Sequence, residues 1–127
     1  MKRITSEKGP KAIGAYSVAT KVGNIVYTSG QLGMNPSTGK LISDTIEEQT
    51  HQALTNVKTI LEENSSLMKN IIKSTVYLND INDFKAFNQV YAEFFDKDDF
   101  PSRTAIEVAA LPLSAKIEIE VIALVNE

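Results

Sequence analysis

The stretch "FPSRTAIEVAALP", residues 100–112, decides how the fold is read. From Thr104 onward, apolar and polar side chains alternate, which is typical of a strand with one buried face. The pair Leu111 and Pro112 is a turn signal that ends the strand. Arg103 opens the same strand with a permanent cation, and such a group is costly to bury without a partner. The sequence therefore raises the question of what this arginine binds.

A second alternating stretch, "KIEIEVIAL" at 116–124, follows this one, and the two predict a hairpin of strands at about 103–110 and 116–125. Its register can be argued because a one-residue slip would exchange the two faces. The apolar rows predicted to pack against helices are Ile106, Val108 and Ala110, with Ile117, Ile119, Val121, Ala123 and Val125. The opposite face then carries Arg103, Ala105, Glu107, Glu118 and Glu120.

Earlier parts of the chain supply further strands. The run "NIVYTSGQ" (24–31) is apolar and rich in β-formers, and "IIKSTVYL" (71–78) is rich in β-branched residues. Between them, "NPSTG" (35–39) predicts a turn in which Gly39 adopts an unusual backbone angle.

Two helices are predicted on the same face of the sheet. The first is capped by Asp44, with Glu47 completing a capping box, and runs to about Asn64. Its inner positions are Ile46, Ala53, Val57, Ile60 and Leu61. The second is capped by Asp80, and its inner stripe is Phe84, Phe87, Tyr91, Phe94 and Phe95. The order of elements indicates a single α+β domain over residues 1–127.

Composition excludes several kinds of chemistry. The chain has no cysteine and one histidine, so thiolate chemistry and metal centres built on several histidines are excluded. A net charge of −3 without a Lys/Arg cluster argues against nucleic acid as the main partner. The N-terminal "MKRITSEKGP" has no apolar leader segment and no run is long enough to span a membrane, so we expect a cytoplasmic protein without a membrane partner.

Two charged residues stand out as candidates for chemistry. Arg103 is either a surface arginine paired with Glu118 or Glu120, or a fork that binds an anionic ligand through two hydrogen bonds. Glu118 is either a solvated edge carboxylate or a general base that holds water.

Polar residues elsewhere allow two readings each. The segment with Ser29 and Gly30 is a strand end, or a binding rim that a ligand can approach closely. Asn88 falls on the aromatic stripe of the second helix, where backbone or a ligand must satisfy its amide. His51 lies off the apolar stripe of the first helix and is read as solvated, with no catalytic part.

Taken together, these segments resemble the reactive intermediate deaminase family, also called the Rid or YjgF-type family. The resemblance runs nearly end to end, and the pair "PSRTAIEVAALP" and "KIEIEVIA" is its most specific part. The other matching blocks are "AIGAYS" (12–17), "YTSGQ" (27–31), "EEQTHQALTNVKTIL" (47–61) and "FKAFNQVYAEFF" (84–95).

The resemblance implies a chorismate-mutase-like α+β fold, with a mixed sheet and two helices on one face. It also implies a homotrimer whose three sheets form a central barrel, with ligand clefts between subunits. The implied activity is hydrolysis of 2-enamino and 2-imino acids, such as 2-aminoacrylate and 2-iminobutyrate, to 2-keto acids and ammonia. No metal or organic cofactor is implied.

Carried over by position, the resemblance places Arg103 on the substrate carboxylate and Glu118 on the attacking water. It places Tyr16, Ser29, Gly30 and Asn88 on the lining of the cleft. Ala105 stands where many members have cysteine, so no thiol takes part, although its backbone could still line the cleft. Ala15 and Ala110 replace a proline and an arginine common in the family, and neither change removes a proposed catalytic group. The competing reading is a regulatory or chaperone-like module that binds a small carboxylate in the same cleft without turnover.

Overall fold

The structure is a computed structural model that describes residues 1–126, and its framework is a seven-stranded mixed sheet. The strand order is β1-β2-β3-β7-β5-β6, and β4 also pairs with β7. Only β5 and β6 pair in parallel among these strands; the other pairings are antiparallel. The strands are Lys2–Ile4 (β1), Ala19–Val22 (β2), Ile25–Thr28 (β3), Gln31–Leu32 (β4), Ile71–Leu78 (β5), Ser102–Glu107 (β6) and Ile117–Leu124 (β7).

The predicted final hairpin is wrong, because β5 lies between β6 and β7. A helix separates β5 from β6 in the chain, and a strand–helix–strand unit brings its two strands together in parallel. The pairing of Val76 on β5 with Ala105 on β6 is therefore parallel, and Val76 pairs on its other side with Ile119 of β7.

Two α-helices, α1 (Ile46–Glu63) and α2 (Phe84–Ala92), pack on one side of the sheet and form the core with its buried residues. The five inner positions predicted for α1 are all buried. Its predicted cap is wrong: Thr45, not Asp44, is the N-cap, and its side chain accepts a hydrogen bond from the Glu48 backbone at 3.2 Å. The predicted capping box is also wrong, because the Thr45 N–H donates to the Ser43 hydroxyl at 3.1 Å, whereas the Glu48 carboxylate accepts from the Thr45 hydroxyl.

The start of α2 also differs from the prediction. Asp80 caps a single 3-10 turn, Ile81–Asp83, by accepting from the backbone of Asn82, and the α-helix begins only at Phe84. Of the predicted aromatic stripe, Phe87 and Tyr91 are buried within α2. The remaining three aromatic residues are partly buried against the core, and Phe94 and Phe95 lie beyond the helix end.

The faces predicted for β6 are reversed. Its register places Arg103 beside Ser74 and Ala105 beside Val76, and both partners are almost completely buried on the helix side. Ile106, predicted to be buried, is 45% exposed on the other side. The predicted apolar row of β7 is correct, since its members from Ile117 to Ala123 are at most 3% exposed.

We call the side of the sheet opposite the helices the open face. Glu118 and Glu120 lie on it because they alternate with the buried row of β7. It also carries exposed apolar side chains, which are Val22, Tyr27, Ile106 and Leu124. One helix layer therefore leaves half of this sheet uncovered within a single chain.

Candidate functional site

Arg103 lies in a small cleft between β6 and α2, which we call the Arg103 cleft. Its guanidinium donates to Oδ1 of Asn88 at 2.8 Å. The guanidinium carbon lies 4.8, 5.2 and 5.5 Å from the ring centroids of Tyr91, Phe87 and Phe84. Aromatic faces attract a cation and restrict its motion, so the guanidinium is held in place before any ligand arrives.

The cleft has a volume of about 340 Å³. It is lined by Asn88, Tyr91, Ala92, Phe100, Pro101 and Arg103. Asn88 uses its carbonyl oxygen on Arg103, which answers the question of how its amide is satisfied, although the residue is exposed and not buried on the stripe. Guanidinium has five N–H donors, so the contact with Asn88 leaves others for an anion. This cleft is suited to a small carboxylate.

Glu118 borders a second cavity, of about 360 Å³, on the other side of the sheet, which we call the Glu118 pocket. Tyr16, Ser29 and Gly30 line it as well. The other lining residues are mostly apolar: Pro10, Lys11, Ile13, Val18, Gln31, Leu32, Met34, Pro112 and Leu113. A carboxylate among apolar walls keeps a higher proton affinity than one in water, and is suited to act as a base.

A bulge at Ser29 and Gly30 makes room for that carboxylate. Tyr27 pairs with Ile122 of β7 but Gln31 pairs with Ile119, so the first strand holds one extra residue. The Val121 N–H on the opposite strand is satisfied by the hydroxyl of Thr28 at 3.0 Å.

The two bulge residues have distinct parts. Ser29 donates its hydroxyl to the carbonyl of Ser17 at 2.6 Å, which fixes the bulge to the segment leading to Tyr16. A Cβ on Gly30 would lie 2.6 Å from the Glu118 carboxyl carbon, so this position must be glycine if Glu118 is to stay where it is. The sequence reading of a binding rim at Ser29 and Gly30 thus agrees with their place beside Glu118.

Local electrostatics separate Glu118 from its neighbour Glu120. Burial raises the pKa of Glu118 above its ordinary value, and the negative charge of Glu120 raises it further. Glu120 accepts a hydrogen bond from the hydroxyl of Tyr77, and that bond is the main reason that the pKa of Tyr77 rises to about 12. Sequence reading missed Tyr77, although its position in the alternation of β5 indicates the open face.

The predicted site residues therefore form two groups. Asn88 and Arg103 share one cleft on the helix side, whereas Tyr16, Ser29, Gly30 and Glu118 share the pocket on the other side. The prediction that Arg103 and Glu118 lie on one face of the sheet is wrong, and neither of these two cavities is lined by both.

The remaining candidates lie outside both cavities. Ala105 faces the helices, where it packs against the core and lines neither cavity. His51 is exposed, as predicted, and its ring packs against Phe94 at 5.3 Å. Within residues 1–126, no group of three or more His, Asp or Glu side chains could hold a metal ion. In the same part of the chain, no helix is long and apolar enough to cross a membrane.

Comparison with known proteins gives the family. The family model described as Endoribonuclease L-PSP, which represents the YjgF/Rid proteins, matches residues 6–125. The chain belongs to the reactive intermediate deaminase (Rid) family. The resemblance noted in the sequence is thereby confirmed.

Rid relatives carry different names. A human 2-iminobutanoate/2-iminopropanoate deaminase is 46% identical over 121 residues, which are 95% of this chain and 88% of the human one. A Lactococcus lactis protein named Putative regulator AldR is 46% identical over 123 residues, 97% of both chains. The crystal structure of E. coli TdcF with bound serine superposes with a TM-score of 0.92 at 39% identity, covering 99% of this chain and 100% of that one.

Proposed function

We propose that this protein is a 2-imino acid deaminase that needs no cofactor and hydrolyses reactive 2-enamino and 2-imino acids, such as 2-aminoacrylate and 2-iminobutyrate, to 2-keto acids and ammonia. The observation that carries the proposal is the restrained Arg103, held by Asn88 and three aromatic rings in a cleft that fits a small carboxylate. Relatives named for this activity support it.

The reaction requires the protein to bind the substrate carboxylate, to activate a water molecule and to protonate the leaving nitrogen. Arg103 binds the substrate carboxylate, which orients the C=N bond. Glu118 takes a proton from water as the oxygen attacks the imine carbon, and a C–O bond forms. Glu118 returns this proton to the nitrogen, which gives a carbinolamine. The proton of the new hydroxyl group then passes to the nitrogen as the C–N bond breaks and the C–O bond becomes C=O, which releases ammonia and the 2-keto acid. We propose a cytoplasmic location, where the protein would remove imines released by pyridoxal-phosphate enzymes.

Arg103 and Glu118 lie on opposite sides of one sheet, so we propose that a neighbouring copy completes the site. A homotrimer whose open faces form a central barrel would bring the Arg103 cleft of one copy toward the Glu118 pocket of the next. The exposed apolar side chains on the open face, such as Ile106 at 45% and Val22 at 47%, support an assembly that covers them.

The first test is loss of the carboxylate-binding group. We expect the wild type to accelerate the loss of 2-iminobutyrate generated by threonine dehydratase, and Arg103→Ala to lower kcat/KM at least tenfold, since a charge-assisted double hydrogen bond is worth about 1.5–3 kcal/mol. Arg3→Ala is the matched control, because Arg3 is exposed and its guanidinium binds only Thr20 among the described contacts. No acceleration by the wild type would contradict the proposed activity.

The second candidate is a module that binds a small carboxylate without turnover. It is favoured by the fact that residues of a single chain line the Arg103 cleft and that Glu118 is not among them. Calorimetric titration with 2-ketobutyrate separates the two functions: binding that Arg103→Ala removes, without any acceleration of imine loss, would favour the binding module.

A further inference from the structure

Two glutamates share the open face of β7, and only one of them borders the pocket. Glu118 lines the Glu118 pocket, whereas Glu120, two residues further along the same face, does not. Tyr77 on β5 is the residue directly opposite Glu118 in the register, yet its hydroxyl binds the carboxylate of Glu120. The two carboxylates therefore have different surroundings: Glu118 faces the pocket, and Glu120 is hydrogen-bonded to Tyr77.

A phenol that donates to a carboxylate stabilises the ionised form of that carboxylate, and the bond is stronger than one between neutral groups. The Tyr77 hydroxyl binds the Glu120 carboxylate, and the negative charge of Glu120 raises the pKa of Glu118. Where two carboxylates interact, the first proton is taken up by the one whose ionised form is less well stabilised. Burial already favours the protonated form of Glu118, and the Tyr77 hydroxyl adds to this preference because it binds the carboxylate of Glu120 and not that of Glu118.

We propose that Tyr77 is a positioning residue which, by binding Glu120, keeps the exchangeable proton of the glutamate pair on Glu118. This inference rests on the proposed function, in which Glu118 must both accept a proton from water and return it to the departing ammonia. Because its pKa is about 12, Tyr77 stays protonated at neutral pH and remains a donor throughout the reaction.

Other ionisable groups near the pair are few. From the N-terminal segment, Lys11 and Tyr16 border the Glu118 pocket. On β5, Lys73 lies on the open face one row beyond Glu120, opposite Ile122. The residues of β6 on this face are Ser102, Thr104 and Ile106, and β4 contributes Leu32, none of which is charged. On β3, the phenol of Tyr27 lies on the same face, opposite Ile122. Glu120 is the group whose charge raises the proton affinity of Glu118.

The test is the pH dependence of imine hydrolysis by Tyr77→Phe. We expect the acidic limb of kcat/KM to move to lower pH by roughly 0.5–1 unit, because the proton is then shared with Glu120. We expect kcat to fall about three- to tenfold with KM nearly unchanged, since proton return is impaired while carboxylate binding is not. Tyr27→Phe is the matched control, because it removes a phenol from the same open face, and its profile should follow the wild type.

A second variant tests the route through Glu120. In a Glu120→Gln background the acidic limb should already lie at lower pH, and adding Tyr77→Phe should move it no further. A further shift in that background would mean that Tyr77 acts on Glu118 directly, which would overturn the proposal. A uniform loss of kcat without any change in the profile would overturn it as well, because a merely structural role gives that result.

A titration that does not depend on turnover separates this inference from the proposed function. Carbon-13 NMR of labelled glutamate carboxyls, assigned with Glu118→Gln and Glu120→Gln, should show Glu118 titrating at higher pH than Glu120. In Tyr77→Phe the difference between the pH values at which the two glutamates titrate should become smaller. An unchanged difference would overturn the inference. A wild type that fails to hydrolyse imines, while the difference between the two titration midpoints still narrows in Tyr77→Phe, would give a distinct result. That result would contradict the proposed function and would support the inference that Tyr77 keeps the proton on Glu118.

Discussion

At the scale of single residues, Gly30 and Gly33 differ in what an added side chain would meet: a movable side chain at Gly30 and a helix backbone at Gly33. A Cβ on Gly30 would meet the end of the Glu118 side chain at 2.6 Å, and that flexible carboxylate can move away. A Cβ on Gly33 would meet the backbone of Gln49 in α1, with its carbonyl oxygen at 2.4 Å and its Cα at 2.6 Å, and a helix backbone cannot move aside cheaply.

Substituting each glycine by alanine should therefore separate function from stability. Gly30→Ala should leave the free energy of unfolding within about 1 kcal/mol of wild type, but should lower kcat/KM at least about tenfold by displacing Glu118. Gly33→Ala should cost about 1–3 kcal/mol of stability through overpacking. Urea unfolding and imine hydrolysis of both variants give the comparison, and full activity in Gly30→Ala would argue against a place for Glu118 in the reaction.

At the scale of elements, the N-terminal segment that forms one wall of the Glu118 pocket is attached to the end of α1. The carboxylate of Glu63 accepts from the Ser6 hydroxyl at 2.5 Å and from the backbone N–H groups of Glu7 and Lys8 at 3.0 and 3.3 Å. A negative charge near a helix C-terminus is unfavourable in itself, and these hydrogen bonds offset that cost for the Glu63 carboxylate. The attachment holds the segment that carries Lys11 and Tyr16.

This attachment should depend on pH in a definite direction. Burial opposes ionisation, but the hydrogen bonds from Ser6, Glu7 and Lys8 outweigh it and hold the pKa of Glu63 below its ordinary value of 4.5. A lowered folded-state pKa contributes stability above the unfolded pKa, and the contribution is lost as pH falls through the folded value. Glu63→Gln should thus cost stability at neutral pH, by no more than about 1 kcal/mol because the group is largely exposed, and less at an acidic pH below 4.5.

Glu62→Gln is the matched control, since it removes an exposed carboxylate one residue away on the same helix. Unfolding followed at both pH values and at one protein concentration checks the expectation. A deficit in Glu63→Gln that persists unchanged in acid would show that the side chain contributes by packing and not by its charge.

Strand pairing is also where sequence reading reached its limit. The alternation in "SRTAIE" separates the two faces of β6 correctly, but it cannot say which face meets the helices. That choice depends on a partner distant in sequence: α2 carries aromatic rings on which the Arg103 guanidinium packs, so the charged row faces inward and Ile106 faces out. In β7, which is covered by helices along its length, the apolar row alone is sufficient to predict which face is buried.

The candidate residues themselves could be found from sequence, because arginine, glutamate and a Ser-Gly pair at strand ends are unusual in a pattern of this kind. Their grouping could not be predicted. The predicted hairpin puts Arg103 and Glu118 on one face, whereas β5 lies between their two strands. Tyr77 was missed for a related reason: a tyrosine in a β-branched run is typical of an ordinary strand, and its meaning depends on Glu120 across the sheet.

At the scale of the whole molecule, the separation of the two cavities makes a prediction about mixed assemblies. If each site takes Arg103 from one copy and Glu118 from the next, Arg103→Ala and Glu118→Gln are each inactive alone for different reasons. Co-expressed with two different tags, they should form mixed trimers in which about one site in three combines an intact Arg103 with an intact Glu118, because a closed ring of three chains of two kinds has one junction of that order. Imine hydrolysis by the mixed trimers should then return to about a third of the wild-type rate per site.

The complementation distinguishes a shared site from one built within a chain. Mixed assemblies purified through both tags are compared with doubly tagged assemblies of either variant alone, which should stay inactive. A site formed within a single chain would give no recovery, because every chain would lack one of its two groups. Recovery in the mixed trimers alone would therefore place the reaction at the boundary between copies.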